Sequence, residues 1–201
     1  MLSAGFVDPV SSAQSTFRAI LAATARPGTV WPLEASLSPP APLTRGAGAV
    51  ALTLCDRGTP IWLDPPLRAA DAIGEWLRFH CAAKIVEQPE AASFAFAADP
   101  AALPAFERFN LGTADFPDRS TTIVLSIDSF EIGPALILQG PGICDRQRFC
   151  ASPLPRDMRE RLALNRGLFP RGVDLLLVAA ERIAALPRSV RLLNEDDGRC
   201  T

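Results

Sequence analysis

The side chains on which enzymes most rely for proton transfer and imine chemistry are almost missing: one histidine, His80, and one lysine, Lys84, occur among 201 residues. Any imidazole acid–base step has to use His80. Any Schiff base with pyridoxal phosphate has to use Lys84, because every other basic side chain is arginine. The five cysteines, Cys55, Cys81, Cys144, Cys150 and Cys200, are odd in number and show no CxxC pair or other zinc spacing. They read as reduced, structural thiols. A Gly-Lys-Ser/Thr phosphate loop, a nucleophile with a local signature and a recognisable carboxylate pair are also lacking. With 20 basic and 22 acidic residues and a formal net charge of -2, generic nucleic-acid binding is excluded. The longest apolar run, Val173 to Ala180, contains Asp174 and falls far short of the ~20 apolar residues that cross a bilayer. Met1 to Ser12 has no basic head and no apolar stretch, and Asp8-Pro9 interrupts it, so the expected location is cytoplasmic.

What is present fits one sizeable core. The length favours a single domain over residues 1–201, and the Pro-rich run Ser38 to Pro42 reads as a surface loop because too little chain precedes it to fold alone. Hydrophobic residues make up 48% before the 13 glycines are counted, a surplus that a partner interface can absorb. Asp8-Pro9 predicts a helix start and Arg26-Pro27-Gly28 its stop, with Phe17 and Leu21 facing inward. Thr29-Val30-Trp31 predicts a short strand. Ala47 to Cys55 is an unbroken apolar run without a period, open to helix or strand. Ile61-Trp62-Leu63 predicts a strand, and Ala69 to His80 a helix with Ala72, Ile73, Trp76, Leu77 and His80 on one face. Ser93 to Ala97 reads as a strand, and Asp99-Pro100 as the opening of a helix through Arg108. Thr121 to Ile127 and Pro134 to Leu138 predict strands close enough to pair antiparallel, with Asp128-Ser129 in the connection. A helix from about Pro155 to Arg166 and a fully buried strand Val173 to Val178 follow. Interleaved in this way, the elements argue for an α/β layered domain with a mixed β-sheet flanked by helices.

Candidate chemistry competes with simpler explanations at every position. His80, beside Phe79 at a helix end, can cap carbonyls or fill a core gap as well as move protons. Cys81 points about 100° away from it on the helix, so a Cys–His pair needs a cysteine from elsewhere. Asp118-Arg119-Ser120-Thr121-Thr122 offers a guanidinium and hydroxyls to an anion such as a phosphonate or nucleotide. The same residues also make a turn, with Asp118 bonded to backbone or paired with Arg119, that leads into a strand. Gly140-Pro141-Gly142-Ile143 permits a tight turn and close approach by a ligand or a neighbouring chain. No catalytic, cofactor-binding or metal-binding residue is assigned.

Arg26-Pro27-Gly28, Trp76-Leu77-Arg78-Phe79-His80, Pro117-Asp118-Arg119-Ser120-Thr121-Thr122 and Gly140-Pro141-Gly142-Ile143, in this order, resemble one family. Phe17-Arg18, Pro60-Ile61-Trp62-Leu63-Asp64-Pro65, Phe169-Pro170 and Gly172-Val173-Asp174-Leu175 extend the likeness over nearly the whole chain. It resembles the PhnH family, a component of the bacterial carbon-phosphorus lyase complex that takes part in alkylphosphonate catabolism. Cys81 after His80, where a hydroxyl residue is more usual, and Gln139 before Gly140 are departures. The resemblance implies a reduced fold of the pyridoxal-phosphate-dependent transferases without the cofactor site, and hence no cofactor at Lys84. It implies a core assembly of PhnH with the G, I and J subunits of the carbon-phosphorus lyase, two copies of each, and a homodimer when alone. In that pathway the first step places the phosphonate on C1′ of the ATP ribose and releases adenine. The I component is the nucleosidase-like catalyst, supported by G, L and PhnH, and the J component later cleaves the C–P bond. PhnH is then an essential, non-catalytic component. The rival expectations are a self-contained transferase or hydrolase using His80 with a cysteine or Arg119, and a phosphonate- or nucleotide-binding module.

Overall fold

The computed structural model describes residues 3–33 and 36–193; Cys200 lies outside them. Five helices occur among these residues: α1 (Pro9–Ala25), α2 (Arg45–Leu54), α3 (Pro65–Arg68), α4 (Asp71–Cys81) and α5 (Met158–Gly167). The strands are β1 (Trp31–Pro32), β2 (Ile61–Leu63), β3 (Ile85–Val86), β4 (Phe94–Ala97), β5 (Thr122–Ser126), β6 (Leu136–Gln139), β7 (Gln147–Phe149), β8 (Asp174–Ala179), β9 (Arg182–Leu186) and β10 (Arg191–Leu193). A seven-stranded sheet runs β1-β9-β8-β5-β4-β2-β3, and a three-stranded sheet runs β10-β6-β7. In the larger sheet β3, β2, β4, β5 and β8 are parallel, while β9 is antiparallel to both β8 and β1.

The central strands are apolar on both sides because both sides are covered. Val124 and Leu176 join one core with Ile20, Ala47, Val50, Ile73, Trp76 and Leu77 from α1, α2 and α4. Their neighbours Ile123, Leu125, Leu175 and Leu177 join a second core with Phe106, Phe109, Leu138, Phe149 and Leu162. Alternation along each strand thus feeds two layers, which explains the continuous hydrophobic runs. The expected α/β layered mixed sheet flanked by helices is present, with the small antiparallel sheet and α5 making the third layer.

Local sequence explains most boundaries. Asp8 accepts a hydrogen bond from the Ser11 amide and caps α1, whose end falls at Arg26. Thr44 caps α2 in the same way, and the apolar run that suits helix or strand alike is helical. Gly28 (φ 76°) and Gly142 (φ 83°) let the Arg26-Pro27-Gly28 and Gly140–Ile143 turns meet: a Cβ on Gly142 would lie 2.1 Å from the Ala25 carbonyl oxygen. The close approach expected at that glycine is made by the chain itself.

Several expectations need correction. Phe17 and Leu21 are 45% and 52% exposed, and the inward face of α1 is Thr16, Ile20 and Ala23. The face is offset by one residue because α1 lies against both α2 and β9. Ala72 is exposed, and α4 starts only at Asp71, after the separate short turn α3. The Asp99–Arg108 helix is instead two 3-10 turns, Pro100–Ala102 and Phe106–Arg108. Pro104 removes an amide and pushes Leu103 into an extended conformation (ψ 120°), which separates them. β5 and β6 do not pair. Both edges of β5 are taken by β4 and β8, while Asp128 and Ser129 donate to the Ser152 carbonyl and lead the chain toward the other sheet.

Candidate functional site

The amino-terminal ends of β5 and β8 carry a polar cluster whose organiser is Arg188, just beyond β9. Asp174 opens β8 within an otherwise apolar run, so its carboxylate needs a cationic partner. Arg188 supplies it: Nε donates to Asp174 Oδ1 at 3.1 Å, Nη2 donates to Oδ2 at 2.5 Å, and the Arg188 amide donates to Oδ1 at 2.9 Å. Its Nη1 donates to the carbonyls of Pro117 (2.5 Å) and Pro170 (3.4 Å), and Nη2 also donates to Ser120 Oγ (2.5 Å). A guanidinium has five N–H groups, and these contacts engage all five. Arg188 therefore joins the 117–122 turn, the Phe169-Pro170 turn and Asp174, but has no donor left for a phosphate.

The Thr121 hydroxyl of the same segment is engaged as well. Thr121 Oγ donates to the Ala92 carbonyl at 2.6 Å and accepts from the Asn110 amide at 3.2 Å. Arg119 stacks on Phe116, 4.2 Å from the ring centroid, instead of pairing with Asp118. Among the described residues Asp118 forms no ion pair. The arrangement favours the turn-building explanation over an anion cradle.

His80 is an anchor for the chain's first described residues. Its Nε2 and the Trp76 indole Nε1 both lie in hydrogen-bonding distance of the Ser3 carbonyl, at 3.1 and 3.0 Å. A ring nitrogen facing a carbonyl must carry the proton, so Nε2 donates. The imidazole is packed between Trp76 and Phe79 (centroids 4.8 and 5.0 Å), and Gly5 passes so close that a Cβ there would be 2.9 Å from Nδ1. No thiol meets it. Cys81 donates instead to the Ala51 carbonyl at 3.6 Å, and burial pushes its pKa up to about 11. Burial likewise pushes the Cys55 thiol well up, with smaller contributions from Cys81 and Asp56. These buried thiols are held in the unreactive, protonated form.

Asp64, in the Pro60–Pro65 stretch, has a role that sequence left unread. In open parallel sheets, ligands gather at the carboxyl ends of strands where the strand order reverses. Here that point lies between β2 and β4. The fully buried Asp64 fills it, accepting from the amides of Leu67 (3.1 Å), Ala98 (2.7 Å) and Asp99 (2.9 Å). Clefts of about 420 and 410 Å³ do occur, one lined by Gly5, Ser38, Arg45 and Glu181, the other by Asp99, Arg156, Asp157 and Arg161. Neither is lined by His80, Lys84 or a cysteine. In the second, Arg161 is committed to Asp157 (2.7 Å) and to the carbonyls of Leu103 and Pro104. Lys84 is exposed, and its carbonyl accepts from the Ile61 amide. Among the described residues no group of three or more His, Cys, Asp or Glu side chains is placed to hold a metal.

The geometry thus defines a layered α/β domain whose shared stretches brace one another. Comparison with known proteins gives it a family. The profile described as "Bacterial phosphonate metabolism protein (PhnH)" matches residues 4–193. The chain is 44% identical over 193 residues, 96% of each chain, to the "Alpha-D-ribose 1-methylphosphonate 5-triphosphate synthase subunit PhnH" of Rhizobium meliloti (strain 1021). It is 33% identical over 184 residues, 89% of this chain and 85% of the other, to the "Putative C-P lyase subunit protein HtxG" of Stutzerimonas stutzeri. The chain belongs to the PhnH family.

Proposed function

We propose that this chain is a non-catalytic subunit of the carbon-phosphorus lyase core complex, required for alkylphosphonate catabolism. It assembles with the G, I and J subunits, and the complex holds two copies of each. The assembly serves the step in which a phosphonate replaces adenine at C1′ of the ATP ribose, before the C–P bond is cut. The Rhizobium relative, named as a subunit of the synthase for a ribose 1-methylphosphonate 5-triphosphate, supports this placement. One structural observation favours a non-catalytic role: Arg188 and His80 are both committed to the fold. Arg188 donates to the Pro117 carbonyl and to Asp174, and His80 donates to the Ser3 carbonyl.

The reading includes a cytoplasmic location and a homodimer in isolation. No helix among the described residues is long and apolar enough to cross a membrane. It also includes a reduced version of the pyridoxal-phosphate-dependent transferase fold without the cofactor site. Affinity capture tests the assembly role. A tagged chain co-expressed with the G, I and J subunits retains them through gel filtration; recovery of the tagged chain alone contradicts it.

A further inference from the structure

The amino edge of the central sheet presents a surface that the fold does not use on itself. Phe116 and Phe169 are 49% and 52% exposed, large apolar rings left facing water. Each is covered by a guanidinium: Arg119 lies 4.2 Å from the Phe116 centroid and Arg166 lies 4.8 Å from that of Phe169. Stacking of this kind fixes the plane of an arginine while leaving its N–H edges open. Among the described residues Arg119, Arg166 and the neighbouring exposed Arg171 form no ion pair.

The two aromatic–arginine pairs are held in fixed relation. Arg188 Nη1 donates to both Pro117 and Pro170, the residues following Phe116 and Phe169. The Gly172 amide donates to the Leu111 carbonyl at 2.9 Å, and the Asn165 side chain of α5 brackets Val173 with two bonds of 2.9 Å. This surface is therefore braced before any partner arrives, which lowers the ordering cost of binding.

We infer that this surface docks an acidic segment of another protein chain, whose carboxylates meet Arg119, Arg166 and Arg171 while its apolar side chains cover Phe116 and Phe169. The inference rests on the reading of this chain as an assembly subunit. Aromatic residues and arginine are the side chains that dominate binding energy at protein interfaces. Planar guanidinium edges suit carboxylates. Asp115 and Asp118 lie on the same loop, so recognition depends on paired geometry more than on a broad positive field. A small phosphate or phosphonate suits the surface less well, because three of the neighbouring backbone amides are engaged. Phe116 N donates to Thr113 Oγ (3.0 Å), Thr121 N to the Asn110 carbonyl (2.8 Å) and Arg171 N to the Leu168 carbonyl (3.0 Å).

The test compares the tagged wild-type chain with Arg119→Glu/Arg166→Glu, Arg119→Gln/Arg166→Gln and Phe116→Ser/Phe169→Ser, each co-expressed with the G, I and J subunits. The expected result is roughly tenfold or greater loss of retained partner in the charge-reversed variant at an unchanged thermal midpoint, with a smaller loss in the Gln variant. Should the Glu variant fold poorly, the Gln and Ser variants carry the same comparison. Equal retention by wild type and variants overturns the docking surface and leaves the assembly reading standing. If the wild type retains nothing, both fail. Calorimetric titration with inorganic phosphate and with methylphosphonate supplies a separate arm: heat from the wild type that Arg119→Gln abolishes would assign the surface to a small anion and overturn protein docking.

Discussion

The two ends of the parallel strands differ in a way that bears directly on function. At the carboxyl end, where such sheets usually receive ligands, Asp64 closes the reversal point with its own carboxylate. At the amino end, Arg188 gathers the 117–122 turn, the 169–170 turn and Asp174 into one braced cluster and turns two Phe–Arg pairs outward. One end is filled and the other is stiffened. Stretches that resemble ligand-binding loops in sequence can therefore serve to hold a surface in shape.

Substitutions at the two ends should separate their roles. The largest effect is expected at the filled end: Asp64→Ala leaves one buried and two part-buried amides without an acceptor and should cost about 3–4 kcal/mol, read as a lowered denaturant midpoint. A near-neutral result would mean that water or a ligand takes the carboxylate's place. At the stiffened end Arg188→Ala should cost about 2–3 kcal/mol, because Asp174 loses its partner while still only partly exposed. Its distinguishing sign is faster hydrogen exchange confined to residues around 117–122 and 169–174; exchange spread evenly over the sheet would deny Arg188 its bracing role.

His80→Ala should lower stability by about 1 kcal/mol through loss of the Ser3 contact and ring packing. In the reconstituted complex its turnover per assembled particle should stay at the wild-type level. Loss of turnover with assembly intact would revive the histidine enzyme. Thiol accessibility offers a chemical version of the comparison. At pH 8 a disulfide reagent should label the exposed Cys144 quickly and leave Cys55 and Cys81 unlabelled until unfolding. The smallest effect concerns acid. Arg182 hydrogen-bonds the exposed Glu131 and holds its pKa down at about 2. A depressed carboxylate stabilises above its unfolded pKa, and that contribution fades as pH falls toward about 2. Glu131→Gln should flatten this part of an acid titration slightly and leave neutral pH unaffected beyond a marginal change.

Local chemistry made much of the fold legible. Asp8-Pro9 and Arg26-Pro27-Gly28 bracket α1, and the runs 61–63, 93–97 and 173–178 fall on β2, β4 and β8. Pairing was not legible. β5 carries the same β-branched pattern whether it meets β6 or lies between β4 and β8, and only the burial of both faces decides. The strands β3, β7 and β10, of two or three residues, leave almost no period to read. The polar cluster was half visible. Asp174 inside an apolar run called for a cation, but many arginines were available, and Arg188 reaches it only because β9 turns back alongside β8. Nothing local to Asp64 could reveal that the amides of Ala98 and Asp99, more than thirty residues away, end at its carboxylate.

Adenine release from ATP and methylphosphonate is the most direct measurement of whether this chain contributes surface or chemistry. The purified chain alone should release none, and adding it to the G, I and L subunits should raise the rate in proportion to the complex formed. Steady adenine release by the isolated chain, abolished by His80→Ala without loss of folding, would contradict the account.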